Sequence, residues 1–431
     1  MNLKSRRFFN KFGGGTLAVV SVLATKEAQG GQAVLMAPPP VTLQSAAAQD
    51  DSTNNEMNVF MPSYGGRESG VAEPFKFGPV VFRPHPYYHF LYASGIQSGT
   101  NNSQSSIIQE FAPGMAVDFG RHWVLDYTPT IRFYSNRAFR NSVDHAATLS
   151  GGTSYEDWAF NLSQSYTKSD APQVDTAAQT QTEGFDTEFG AQRELNDKLN
   201  LQLGVSQVFN FVSGLQDSRQ WSTMDWLNYV YNKRLNFGVG VGGGYVMISS
   251  DSNPPSNNPD QAFEQMQARV QWRATDKLGF SVNAGLEDLQ NLAPGYKDEL
   301  NPTFGATIDY ALFEHTDIML AAGRTVSSSD YSISTQSTEV TSVNVTLNQR
   351  LLQEFNLMVS FGYSQTDYTV ALGNISTPRT DDSYNFNVRL GHSFLKRGNV
   401  AVTYQYSDNK SSAAGFSYNS NQIGFEIGYS Y

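Results

Sequence analysis

Six histidines (His85, His89, His122, His145, His315 and His392) and forty acidic side chains are the groups of this chain best able to bind metals or move protons. They are scattered. Only His85 and His89 lie close together; they share a face if that stretch is extended, and two imidazoles alone make a poor metal site. No HExxH or GxSxG occurs, and no Ser–His or Asp–His pair can be placed at one rim. The segment "GVGVGG" (Gly238 to Gly243) matches the dinucleotide fingerprint in letters but lies in a strand pattern with no helix after it. Small residues there relieve crowding instead. The loop "SSDSNPPSNNPD" offers oxygen ligands without the spacing or central glycine of a calcium hand. There is no cysteine, so disulfides and thiolate metal sites are excluded. No catalytic residue, metal or cofactor is expected, and the chain is not read as an enzyme.

A second set of charged groups is better organised. Asp126, Arg132, Asp186, Glu188, Arg269, Arg273, Glu287, Asp309, Arg389 and Glu426 fall on the face opposite an aromatic or aliphatic stripe. Facing hydrocarbon, an arginine costs about 2–4 kcal/mol at the bilayer midplane. Facing a water-filled bore it costs little and helps set an electric field. Two readings stay open for each one: it faces moving solute, or it pairs across the lumen and stiffens the wall.

The elements that must position these groups are strands. "EFNLMVSFGYSQ" sets Phe355, Leu357, Val359, Phe361 and Tyr363 against Asn356, Met358, Ser360, Gly362 and Ser364. "KLNLQLGVSQ", "KLGFSVNAGL", "YNFNVRLGHSF" and "NVAVTYQYS" alternate in the same way, and strict alternation over eight or more residues is strand periodicity. About 18 such segments occur. Tight connections recur near Gly120, Asn196, Lys233, Asp276, His315, Gln353 and Arg397. Between them lie longer polar stretches: "GIQSGTNNSQSS", "TKSDAPQVDTAAQT", "SSDSNPPSNNPDQ", "LQNLAPGYKDE", "TVALGNISTPRTDD" and "SDNKSSAAGFSYNS". Short turns on one side and long loops on the other describe a transmembrane antiparallel up-and-down β-barrel, all-β, with short periplasmic turns and long extracellular loops. "PYYHFLY" begins the first strand, with Pro84 and Pro86 tolerated near its start. Trp123, Trp158, Trp221, Trp226 and Trp272 suit interfacial girdles. Asp251, Asp260, Asp381 and Asp382 are placed in outer loops, where they stay solvated or bind divalent ions together with lipopolysaccharide.

Composition agrees. The 431 residues are 39% hydrophobic, 13% aromatic and only 16% charged. A soluble globule needs a more charged coat, and a disordered chain has fewer aromatics. A soluble β-sandwich or propeller would need a dry second face, and the non-aromatic faces here are too polar and glycine-rich for that.

The amino terminus has the layout of an export signal: Lys4, Arg6, Arg7 and Lys11, then the short apolar "TLAVVSVLA". "SRRFFNK" resembles the twin-arginine motif, but a membrane barrel travels unfolded, which favours the general secretory route. Residues 1–33 are taken as signal peptide, 34–78 as a flexible periplasmic segment and 79–431 as the barrel. Cleavage after Ala24 would leave 25 basic against 40 acidic residues, a net −15. Such a chain does not bind nucleic acid, and its charge suggests mild cation preference. No run of 18 apolar residues follows the signal, so no transmembrane helix is expected.

The final stretch "NQIGFEIGYSY" places Ile423, Phe425, Ile427, Tyr429 and Tyr431 on one face. It resembles the C-terminal signal of Gram-negative outer-membrane proteins, which implies recognition by the barrel-assembly machinery. Residues 79–431 resemble the putative β-barrel porin and outer-membrane β-barrel families of Gram-negative bacteria, some of whose relatives accompany exopolysaccharide operons. The resemblance implies an outer-membrane pore for passive diffusion of small hydrophilic solutes, among outer-membrane lipid and lipopolysaccharide. It also leaves open a polysaccharide-secretion or structural barrel, and a membrane enzyme or adhesin stands behind both. Oligomeric state, solute and bore width are not fixed by sequence.

Overall fold

The computed structural model describes residues 75–120, 122–173, 176–250, 259–293, 298–328, 335–352, 354–370, 379–394 and 397–429. The expected export signal, most of the segment after it (34–74) and Tyr431 lie outside the described residues. A two-residue strand, β1 (Lys76–Phe77), pairs with Val80 and Val81. The barrel strands then follow in chain order. They are β2 (Val80–Gly99), β3 (Asn102–Phe119), β4 (Trp123–Tyr134), β5 (Ser142–Tyr155), β6 (Trp158–Gln173) and β7 (Ala178–Asn196). Next come β8 (Leu199–Val212), β9 (Gln216–Asn232), β10 (Leu235–Ser250), β11 (Gln261–Thr275), β12 (Leu278–Asn291) and β13 (Glu299–Phe313). The last six are β14 (Thr316–Ser328), β15 (Thr335–Leu351), β16 (Phe355–Val370), β17 (Arg379–Phe394), β18 (Gly398–Ser411) and β19 (Tyr418–Tyr429).

Each strand pairs antiparallel with its sequence neighbours, and β19 returns to pair with β2, from Asn421 opposite Ser94 to Gly428 opposite Tyr87. The result is a closed antiparallel barrel of 18 strands. Closure leaves no sheet edge, the condition for a sheet to stand in hydrocarbon. The closing ladder starts at Tyr87, so Pro84 and Pro86, which lack an N–H, precede it. An 18-stranded barrel with strands tilted near 40° places the backbone about 18 Å from the axis.

The two rims differ. Eight connections at one rim, the turn rim, are two or three residues long, while those at the other, the loop rim, run from two to ten. All seven tight turns read from the sequence lie at the turn rim. An eighth, Glu156–Asp157 between β5 and β6, was not foreseen. The polar stretches are shorter as loops than their composition suggests, because the strands continue into them. "GIQSGTNNSQSS" is a hairpin with only residues 100–101 outside its strands, and Asp381 and Asp382 belong to β17 rather than to a loop. Strands of 12 to 20 residues exceed the ten or so needed to cross, so most project beyond a ~25 Å apolar band.

Contacts between non-adjacent strands tell the inner face from the outer. His85 on β2 reaches Asp126 on β4 over β3, and Arg269 on β11 reaches Gln202 on β8 over two strands. Side chains converge like this only on the concave face. The convex face carries Ile107, Phe111, Phe189, Val239, Val241, Val282, Phe361, Val402, Ile423 and Phe425, all exposed. Around the turn rim, Phe119, Tyr155, Tyr229, Trp272, Phe313 and Tyr429 form an exposed aromatic ring, as an interfacial girdle requires.

The inner wall as candidate functional site

The register places all ten charged residues singled out above on the concave face. Asp126 and Arg132 stand on β4, Asp186 and Glu188 on β7, and Arg269 and Arg273 on β11. Glu287, Asp309, Arg389 and Glu426 follow on β12, β13, β17 and β19. On the outer face, Ile423, Phe425, Ile427 and Tyr429 alternate with Gly424, Glu426 and Gly428.

The inner wall is not uniform. Along β2, alternate residues Arg83, His85, Tyr87 and His89 form a ladder of polar contacts that climbs from the turn rim. Arg83 Nη2 lies 2.5 Å from Asp118 Oδ1, and His85 Nε2 lies 2.8 Å from Asp126 Oδ2. The second contact crosses β3 at Gly114, where a Cβ would sit 2.0 Å from the imidazole Cε1. Tyr87 Oη donates to Glu426 Oε2 at 2.6 Å, and the Arg389 guanidinium pairs with the same carboxylate. At the top, His89 Nδ1 meets Glu110 Oε2 at 3.1 Å. Arg132 donates to both Glu110 and Asp144 at 2.6 Å.

Glu110 and Arg132 are each 3% exposed. Buried charges are tolerated only when paired and hydrogen-bonded, and this chain supplies each with partners. Above it the same wall turns apolar: Leu91, Ala93, Ile96, Ile108, Tyr134, Phe139 and Tyr418 form one buried cluster. Leu91, Ala93, Ile108, Tyr134 and Tyr418 have the inward parity. The inner faces of β17–β19 and β2–β5 therefore make a packed, largely dry wall. Ser383, Ser407, Asn409 and Ser420 on β17–β19 are buried as well.

A second packed zone lies on β9–β11. Gly238, Gly240, Gly242 and Gly244 all point inward. A Cβ on Gly240 would come within 2.8 Å of the Trp226 ring, and one on Gly238 within 2.8 Å of Arg269 Cγ. The glycines leave a trough in which Trp226 lies, with Arg269 stacked 4.2 Å above it. Arg269 also donates to Asn228 Oδ1 at 2.6 Å. Trp226, assigned above to a girdle, is instead an inner residue and 1% exposed. The glycines on the facing strand were the signal: without a Cβ there, the wall has room for an indole.

The wall from β12 to β16 is the opposite case. Asp309, Asp317, Asn344, Asn348 and Asn356 point inward and are exposed, as is Arg273 beside them on β11. Met319, also inward, is 43% exposed. Among the described residues, no ion pair engages Arg273, Asp309 or Asp317. The described residues hold no cluster of three or more metal-binding side chains.

A closed sheet with an apolar outside and a charged, partly wet inside has one environment that fits it, a bilayer crossed by a bore. Residues 262–430, essentially β11 to β19, match the family model described as Putative beta-barrel porin 2. The match spans the last nine strands, and the described residues together fold as a closed antiparallel β-barrel of 18 strands. No curated protein matches it. Among solved structures, the barrel is similar to Pseudomonas aeruginosa OccK2 (OpdF), with TM-score 0.45 and 10% identity over 81% of this chain and 98% of that one. It is similar to Acinetobacter baumannii OccAB3, with TM-score 0.45 and 9% identity over 81% and 99%. A third likeness is the copper transporter OprC, with TM-score 0.43 and 11% identity. It covers 79% of this chain and only 63% of OprC.

Proposed function

We propose that this barrel passes small hydrophilic solutes across the outer membrane by passive diffusion, with a mild preference for cations. The observation that carries the reading is the wet, charge-bearing wall of β12–β16 inside a closed, lipid-facing sheet. Outside the cross-linked wall, the inward charges are mostly acidic. Asp186, Glu188, Glu194, Glu287, Glu299, Asp309 and Asp317 stand against Arg269, Arg273 and Arg350. A low-dielectric cylinder lined by an excess of one sign raises the local concentration of counter-ions. No step of chemistry is asked of any side chain. The same proposal has the chain exported by a cleaved signal and inserted by the barrel-assembly machinery through the stripe of Ile423, Phe425, Ile427, Tyr429 and Tyr431. Protein recovered from outer membranes should then begin after a cleavage site between Ala24 and Ala33. The decisive measurement is planar-bilayer conductance of the purified, folded barrel. Stable ohmic steps with cation-selective reversal potentials are expected, and a folded barrel that carries no current removes the reading.

A further inference from the structure

The first hairpin does something that a barrel wall does not require. Strand β2 comes within 8 Å, Cα to Cα, of β6 and β7, and it is the tips of the two hairpins that are buried. In the ring order β2 and β7 are five strands apart, about 28 Å across an 18-stranded barrel. The tips must therefore lean some 20 Å towards one another, across about half of the mouth.

The backbone shows how the lean begins. Register breaks between Ala93 and Ile96 and again between Gln97 and Gly99. Gly95 between the first pair has φ +75°, and a Cβ there would sit 1.8 Å from the Asn419 carbonyl oxygen. Hairpin tips at a water-facing rim are ordinarily exposed. Here Ile96 is fully buried and Gln97 nearly so, and on the β6–β7 tip Ala171, Pro172, Gln173 and Ala177 are buried too.

Other loops lock onto the folded tip. Gln97 Nε2 and the Asn101 amide both donate to the Gly415 carbonyl, at 3.4 and 3.3 Å, tying the tip to the β18–β19 loop. Phe139, from the β4–β5 loop, enters the apolar cluster beneath and packs 5.3 Å from the Tyr134 ring. The same loop reaches the β6–β7 tip. Arg140 pairs with Asp170 at 3.0 Å, and Gln179 exchanges hydrogen bonds with the Arg140 backbone at 2.8 and 2.9 Å.

We infer that the tip of the β2–β3 hairpin is the size filter of this channel. Folded over the mouth and sealed by Leu91, Ile96, Ile108 and Phe139, it roofs the β18–β7 side and confines solute to the β8–β17 side. The inference rests on the diffusion reading and adds the element that sets its cut-off. The charge ladder along β2 belongs to the roofed side, so it supports the filter without facing the main path.

Deleting residues 96–103 tests this. It leaves a four-residue connection between Ala93 and Ser106, which pair in the parent. A second variant, Ile96→Asp, charges the buried contact without shortening the chain. Single-channel conductance and liposome swelling with sugars of increasing size are measured, with heat-modifiable migration on gels as the check of folding. The deletion should raise conductance roughly twofold, in proportion to the mouth area released, and admit larger sugars. Ile96→Asp should shift both in the same direction by less. A folded deletion variant with unchanged conductance and cut-off overturns the filter and leaves the diffusion reading intact. If the deletion fails to fold, an unchanged Ile96→Asp barrel overturns it equally. A parent and variants that are all silent overturn both readings.

Discussion

Two walls of one barrel use the same residue types to opposite ends. From β17 through β19 to β5, inward Arg, His, Asp and Glu bind one another, are buried and sit under an apolar cluster. From β12 to β16, below the buried Asn291 and Asn301 near the loop rim, inward Asp309, Asp317, Asn344, Asn348 and Asn356 stand in the open, and no ion pair engages Asp309 or Asp317 among the described residues. Burial decides the role. A paired charge removed from solvent holds a wall in shape, while an exposed one acts on whatever passes. A polar lumen is thus two things at once, a frame and a path, and the pattern of alternation is blind to the difference.

Removing the centre of the frame should break the contrast most. Arg132→Ala leaves Glu110 and Asp144 buried without their shared guanidinium. Loss of one partner from such a group costs about 3–5 kcal/mol. Urea unfolding in detergent or bilayer, followed by heat-modifiable migration, should show a loss of that size. A loss under about 1 kcal/mol would mean that water already reaches these carboxylates and that the wall is not dry.

A pair of glycines sharpens the comparison. On the packed wall, Gly114→Val drives a Cβ into the His85 ring, which lies 2.0 Å from the built position. Overpacking of this kind costs about 1–3 kcal/mol, and the His85–Asp126 contact is lost with it. On the open wall, a Cβ on Gly279 meets nothing within 4 Å. Gly279→Val should therefore lie within about 0.5 kcal/mol of the parent. Equal costs at the two sites would erase the distinction between the walls.

Much of this was legible in the sequence. A period of two assigns a face to every residue between two recognised turns, which is why the ten inward charges follow from pattern alone. The turn at Glu156–Asp157 lies beyond what the sequence pattern marks; Glu156 there takes the left-handed conformation, with φ 52°. For Trp226, parity outweighs side-chain type: it pairs with inward Gly240 and so faces the lumen despite the preference of tryptophan for an interface. The loops are shorter than their composition suggests because strands above the lipid are polar on both faces and lose their alternation. The roof at the mouth was out of reach: it depends on segments far apart in sequence, such as Gln97 and Gly415, meeting over the rim.

The smallest effect tests the path itself. Asp309 and Asp317 stand on the open wall near the turn rim, and neutralising both should leave stability within about 0.5 kcal/mol of the parent. Their field acts across a wide, wet vestibule. At 0.1 M salt, charges act over about 10 Å, and at 1 M over about 3 Å. Asp309→Asn with Asp317→Asn should thus lower the cation-to-anion permeability ratio in dilute potassium chloride, by roughly a factor of two, and hardly at all in molar salt. Glu110→Gln on the packed wall is the counterpart. It should cost stability and leave the ratio untouched, since that carboxylate faces Arg132 and His89 rather than solute. If Glu110→Gln moves the ratio and the double variant does not, the path runs along the other wall, and frame and path must be exchanged.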